Sequence, residues 1–194
     1  MARKREFDYD RAIEKAMRVF WTKGYGNTSM RDLLQAMEIG EGSFYNVVRG
    51  KKELYLACLE RYNELVTERR LAILESEKSV RKAVRKAFKA VIAEIHDRNN
   101  PPGCLMANSL FADVLVDADL RRTVTKEMNR FSEYFVKRLA AAKRSGELPE
   151  DFPVRPAAQS LVTFLQGMFR VAYTVNSKKE LQQQVETVLA GLRL

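Results

Sequence analysis

The stretch TSMRDLLQAMEIGEGSFYNVV, residues 28–48, decides how the chain is read. Thr28 and Ser29 are hydroxyl residues of the type that cap a helix N-terminus, and either can start a helix here. Met30, Leu33, Leu34 and Met37 follow at i, i+3, i+4, i+7, the spacing of one helical face, and the pattern ends near Glu38. After a short turn a second helix is predicted over residues 41–48, and Arg49-Gly50 breaks the chain again. A capped helix, a tight turn and a short second helix have the proportions of a helix-turn-helix, whose second helix enters a major groove while an earlier helix braces the pair. That earlier helix is predicted over residues 8–23, with the stripe Ile13, Ala16, Met17, Phe20 and with Gly24 at its end. Spacing alone leaves another reading open, because two short helices and a turn also make an ordinary corner of a helical protein.

Helical periodicity continues outward, and no segment alternates convincingly with period two. Further helices are predicted over residues 51–75, from Ser79 to the loop Asn99-Asn100-Pro101-Pro102-Gly103, over 104–116, from Asp117 or Asp119 to 143, over 154–175 and over 178–192. About nine helices without a fixed repeat give an all-α fold rather than a solenoid. Its division is read as residues 1–52, a helix-turn-helix domain, and residues 53–194, a helical ligand-binding and dimerisation domain.

The chain has 194 residues, 46% hydrophobic and 30% charged, with 9 Gly and 5 Pro, which excludes collagen-like and low-complexity classes. A chain of this length buries roughly 70% of its unfolded surface without disulfides or metals. Its two cysteines, Cys58 and Cys104, are not a disulfide scaffold, and a single histidine, His96, removes most zinc and di-iron sites. No metal and no cofactor are expected. No apolar run approaches the roughly 18 residues of a membrane span, so a cytoplasmic protein is expected and Asn27-Thr28-Ser29 reads as a chance sequon. The formal charge is +9; residues 1–52 hold 11 Lys/Arg against 7 Asp/Glu, and residues 53–194 hold 23 against 18. Basicity is denser at the N-terminus, which favours a polyanionic partner without naming one.

Three runs carry a family resemblance: Phe20-(x)3-Gly24-Tyr25-(x)2-Thr28-Ser29-(x)2-Asp32-Leu33, Ile39-Gly40-Glu41-Gly42-Ser43-Phe44-Tyr45, and Lys51-Lys52-Glu53-Leu54. In order and spacing they resemble the DNA-binding domain of the tetracycline-repressor (TetR/AcrR) transcriptional regulators. Gly103-Cys104-Leu105, Gly146-Glu147-Leu148 and Gln166-Gly167-Met168 extend the likeness more weakly. The resemblance implies phosphate contacts by Tyr45 and Lys51, which by themselves read also as a half-buried aromatic and a solvated lysine. Thr28 at a helix start suits either a phosphate contact or a cap. It also implies base reading from the positions of Arg31, Glu41, Gly42, Ser43, Asn46 and Val47. Arginine can fork to guanine and a carboxylate can accept from a cytosine amine, while Gly42 allows close backbone approach. Phe44 is expected to turn inward onto Phe20 and Leu33. Arg3, Lys4 and Arg5 read equally as a groove-following arm or a solvated tail.

Two departures stand out. Glu38 occupies a turn position where many family members have Gly; in a left-handed conformation it costs about 1 kcal/mol relative to Gly. The aromatic usual after the Tyr45 position is replaced by Val47-Val48.

In the second half, residues 154–175 are apolar almost all round, and Leu181, Val185, Val188 and Leu192 form a coiled-coil-type seam. A two-fold four-helix interface between two chains, carried by Leu161, Leu165, Phe169, Leu181, Val185, Val188 and Leu192, explains that pattern. A purely intramolecular core explains it too. The resemblance further implies a small-molecule pocket, with Tyr62, Cys104, Asn108, Phe111, Phe131, Phe135, Gln166 and Met168 as candidates; plain core is the other reading of these aromatics. Cys104 stands at a predicted helix start, a position that makes thiols more reactive, although a small buried hydrophobe fits as well. His96 reads as a helix C-terminal partner. The run Lys78, Arg81, Lys82, Arg85, Lys86, Lys89 reads first as a solvated face. Taken together, the expected function is a dimeric, ligand-responsive repressor of a palindromic double-stranded operator. The alternatives are a nonspecific architectural DNA binder and a helical-bundle enzyme. The latter has little equipment beyond carboxylates such as Asp113 and Asp117.

Overall fold

The computed structural model describes residues 8–101, 103–109, 112–115, 117–171, 174 and 177–194. Arg3, Lys4, Arg5, Phe111 and Ala172 lie outside the described residues. Every regular element among those described is a helix. The order is α1 (Tyr9–Lys23), α2 (Met30–Met37), α3 (Glu41–Val47), α4 (Lys51–Tyr62), a π turn (Asn63–Thr67) and α5 (Glu68–Glu75). There follow α6 (Val80–Ile95), α7 (Leu105–Asn108), α8 (Ala112–Leu115), α9 (Ala118–Arg144), α10 (Val154–Val171) and α11 (Lys178–Gly191).

Helix starts follow side-chain chemistry. Asp8 accepts from the Arg11 N–H at 3.1 Å, Asp117 from those of Asp119 and Leu120, and Ser177 from that of Glu180, each satisfying donors that a first turn leaves free. Two predicted helices are divided. The 51–75 segment carries the π turn, and the 104–116 segment forms two short helices, α7 and α8.

The head is built on Phe20, Leu33 and Phe44, all fully buried, so Phe44 does turn inward. α1 packs against α2 and α4. α4 carries the head into the rest of the molecule: the Tyr55 ring lies edge-on to Phe20 at 4.8 Å, and Tyr62 lies edge-on to Trp21 at 5.0 Å. Beyond it, α9 packs on α10, α5 on α6, and α6 on α11.

This packing corrects one expectation. Leu161, Leu165, Phe169, Leu181 and Val185 are buried inside the single chain, while Val188 and Leu192 are half-buried. The five buried side chains cannot also face a second chain, whereas Val188 and Leu192 keep exposed surface. α10 packs its apolar stripe on α9, and α11 packs on α6, so the intramolecular reading holds for Leu161, Leu165, Phe169, Leu181 and Val185.

Candidate nucleic-acid interface and effector cavity

α2 starts with a reciprocal cap. Ser29 Oγ accepts from the Asp32 N–H at 3.1 Å, and Asp32 Oδ2 accepts from the Ser29 N–H at 3.0 Å. Lys23, 2.7 Å from Asp32, and the Ser29 donors hold that carboxyl far below the usual carboxylate range. Ser29 is therefore the cap rather than Thr28. Thr28 is only 2% exposed, and its hydroxyl donates to the Gly24 carbonyl at 2.6 Å. That hydroxyl must leave Gly24 before it can donate to a phosphate.

α2 ends with Glu38 left-handed at φ 58°, ψ 40°, while the Ile39 N–H reaches back to the Leu34 carbonyl at 3.2 Å. The chain then turns into α3, which buries Phe44 and leaves Glu41, Gly42, Ser43, Tyr45 and Asn46 exposed, as Arg31 is on α2. Tyr45 is 54% exposed, its ring edge-on to Phe44 at 5.3 Å. A Cβ built on Gly42 would meet nothing within 4 Å, and its φ is not left-handed, so the fold itself does not call for glycine there. Lys51 begins α4 with its ammonium 4.5 Å from the centre of the Tyr25 ring. One neighbour was not foreseen: Lys52 bonds Asp119 at 2.7 Å and Asp117 at 2.9 Å, tying the start of α4 to the start of α9.

The body contains a small cavity between the π turn, α7, α9 and α10. Of the pocket candidates, Cys104, Phe131 and Gln166 line it. Tyr62 is fully buried and donates from its hydroxyl to Cys104 Sγ at 3.2 Å. Phe135 lines a second, smaller void with Phe131. Asn108 instead donates to the Trp21 carbonyl at 3.5 Å, facing the head, and Met168 is buried in the core, lining neither void.

Sequence reasoning missed the polar part of this wall. Arg70 is buried, bonds Glu94 Oε2 through Nε at 2.9 Å and Nη2 at 2.7 Å, stacks 4.9 Å from the Phe169 ring centre, and places Nη1 3.8 Å from Cys104 Sγ. Burial alone would lower its pKa, but Tyr62, Cys104 and Glu94 together hold the guanidinium charged. An arginine amid the 51–75 periodicity resembles any solvated helix residue, so no local signal marks it.

The basic run on α6 is better partnered than its sequence suggests. Arg81 donates to the Arg193 carbonyl, Arg85 bonds Glu186, and Lys86 bonds Glu77. His96 Nδ1 lies 2.8 Å from the Ile92 carbonyl at the end of α6.

Two family models match the chain. That of bacterial regulatory proteins of the tetR family covers residues 12–58, and that of the tetracyclin repressor-like C-terminal domain covers residues 80–188, more than half of the sequence. The chain belongs to the TetR family. It is thereby a DNA-binding transcriptional regulator, and this family is not an enzyme class. Regulators of this family act as dimers and bind small-molecule effectors. Its relatives include the HTH-type regulator YezE of Bacillus subtilis, 28% identical over 99% of this chain and 100% of that one. The HTH-type transcriptional repressor ComR of Escherichia coli is 29% identical over 96% and 90%. Among solved structures, the TetR-family regulator CifR, a cysteine mutant complexed with a 26 bp operator duplex, has a TM-score of 0.90 and 27% identity. It covers 97% of this chain, which covers 98% of CifR. No described helix of this TetR-family chain is long and apolar enough to cross a membrane.

Proposed function

We propose that this TetR-family chain is a cytoplasmic repressor that binds a palindromic operator as a dimer and releases it when a small molecule enters the cavity beside the π turn. The head, residues 1–52, reads DNA through Arg31, Glu41, Gly42, Ser43 and Asn46, with Tyr45 and Lys51 on phosphates and Thr28 at the start of α2. The observation that carries this reading is the outward face of α3. Its side chains are exposed, and Gly42 leaves open a space that the fold does not use. CifR, alike in fold over the whole length, is bound to an operator duplex, which supports DNA binding by this chain. Residues 53–194 form the effector and dimer part.

With most of the earlier apolar seam buried, the dimer faces are the exposed stripes Ser160, Thr163, Gly167 and Val171 on α10 and Gln183, Thr187, Ala190 and Gly191 on α11. Their small residues allow close helix approach, and a four-helix interface follows.

Selection of binding sites from random duplexes, repeated as salt rises, tests the reading. One palindrome should stay preferred while overall affinity falls. In the same assay Gly42→Ala should weaken the selected site at least tenfold, about 1.4 kcal/mol. Its thermal stability should hold or rise, since Ala is favoured over Gly inside a helix by up to about 1 kcal/mol. A monomer without sequence preference, or full affinity in Gly42→Ala, contradicts the proposal.

A further inference from the structure

Asn63, Thr67 and Arg70 lie on one face of the π turn and α5 and line the cavity. Turns of this kind are rare and concentrate at functional sites. Asn63 is 9% exposed, and its Nδ2 donates to the Glu127 carboxylate. That bond fixes which way the amide points, and Oδ1 is left without a partner. Across the cavity Gln166 turns Nε2 to Met128 Sδ at 3.7 Å, and its Oε1 is likewise buried and unpartnered. Two acceptors therefore line one cavity with no donor assigned to either.

The charges around them are already balanced. Arg70 is bonded to Glu94, and Glu127 is bonded to Arg130 at 3.3 Å as well as to Asn63. An anion would meet two amide oxygens and the Glu127 carboxylate beside an Arg70 guanidinium already paired with Glu94, and a cation would find its counter-charge already engaged. The rest of the wall is apolar and deformable, with Met106, Met128, Phe131, Leu165 and Phe169. In this state the cavity measures about 30 Å³, enough for one or two waters, so a larger guest must displace methionine and phenylalanine side chains.

We propose that the cavity takes a small neutral molecule with an apolar body and a hydrogen-bond donor at one end, that donor serving one of the buried oxygens of Asn63 and Gln166. This deepens the effector reading above and rests on it. The donor chemistry selects among ligands of equal size: a hydroxyl pairs an acceptor that an ether or a carboxylate leaves unpaired.

The experiment uses three matched probes, 4-ethylphenol, 4-ethylanisole and 4-ethylbenzoate, on the full chain. Binding is read from thermal unfolding and from the emission of Trp21, the one tryptophan, which packs on Tyr62 beside Cys104. The phenol should bind at least tenfold more tightly than the ether or the carboxylate. Gln166→Met or Asn63→Leu, whichever removes the paired oxygen, should narrow that ratio, and narrowing in neither folded variant overturns the assignment; the wild-type ratio stands even if a variant fails to fold. Equal or tighter binding of the ether or carboxylate overturns the donor assignment, as does failure of all three to bind. Tight phenol binding that leaves affinity for the selected operator unchanged keeps the donor chemistry and removes the effector reading, so the two failures are told apart.

Discussion

Glu38 is the residue at which sequence and backbone disagree most openly. It is held at φ 58° to close α2, a conformation that costs a side chain with Cβ about 1 kcal/mol relative to glycine. Its compensation is an ion pair with Lys15 at 2.7 Å, on a side chain 67% exposed, and such surface pairs are worth roughly 0–1 kcal/mol. Glu38→Gly should therefore raise the melting temperature modestly, while Glu38→Gln, which removes only the charge, should leave it level or slightly lower. Calorimetry on both variants checks this; a Gly variant less stable than the wild type would show that the ion pair outweighs the strain, and one no more stable than the Gln variant would show that the turn stores none. The substitution was visible beforehand as a departure from a turn that usually carries Gly. The inward Phe44 was legible as the large apolar side chain of a short helix that must pack on Phe20 and Leu33, whereas the outward Tyr45 rested on the resemblance. Asn63 and Arg70 were not. A polar residue buried by contacts from α7, α9 and α10 carries no local mark, since its burial is decided by segments far away in the chain.

At the scale of elements, helix ends were readable wherever the capping group is local and missed where it comes from elsewhere. Ser79 caps α6 by accepting from the Lys82 N–H, as expected, but the same helix start is also held by Glu147 from the loop after α9. That carboxylate accepts from Ser79 Oγ at 2.6 Å, the Val80 N–H at 3.0 Å and the Arg81 N–H at 3.2 Å. Partial burial pushes its pKa up, and these donors outweigh burial and hold it below the ordinary glutamate value. A lowered folded-state pKa contributes stability that is present above the unfolded value, about 4.3, and is lost as pH falls through the folded value. Glu147→Gln should thus destabilise by about 1 kcal/mol near neutrality, the usual worth of a cap. The gap from wild type should close as pH drops below about 4. Parallel urea titrations at pH 7 and pH 3 measure it, and a gap that stays constant would mean that Glu147 acts through packing rather than charge. The π turn belongs to the same class of missed features. Residues 51–75 keep an unbroken helical pattern, and nothing in hydrophobic spacing announces one wider turn.

Two features act at the scale of the whole molecule. Lys52 joins the start of α4, next to the recognition helix, to Asp117 and Asp119 at the start of α9. Its hydrogen bonds to Asp119 and then Asp117 raise its pKa, and Lys52 lowers both carboxyls. The raised lysine keeps this link until alkaline pH and the lowered carboxyls keep it into acid, so it persists unchanged across roughly pH 4–10. Lys52→Met should speed amide exchange in the first turns of α4 and in α3 with little change in melting temperature. Asp117→Asn combined with Asp119→Asn should reproduce that pattern. Unchanged exchange in both would make the link an inert surface pair.

The second feature is how two heads are spaced, which depends on the face that pairs. Burial inside one chain removes Leu165 from that face and leaves Gly167 exposed for the proposed one, although the two are only two residues apart on α10. A Cβ at Gly167 meets nothing within 4 Å in the single chain, so a long side chain there disturbs only a partner. Gly167→Arg should give a folded monomer by light scattering, with an unfolding transition close to that of the wild-type protomer and much weaker operator binding. Leu165→Arg should instead lose cooperative unfolding, because it buries an unpaired charge in the core. A dimeric Gly167→Arg would move the interface off α10, and with it the geometry by which cavity occupancy reaches DNA.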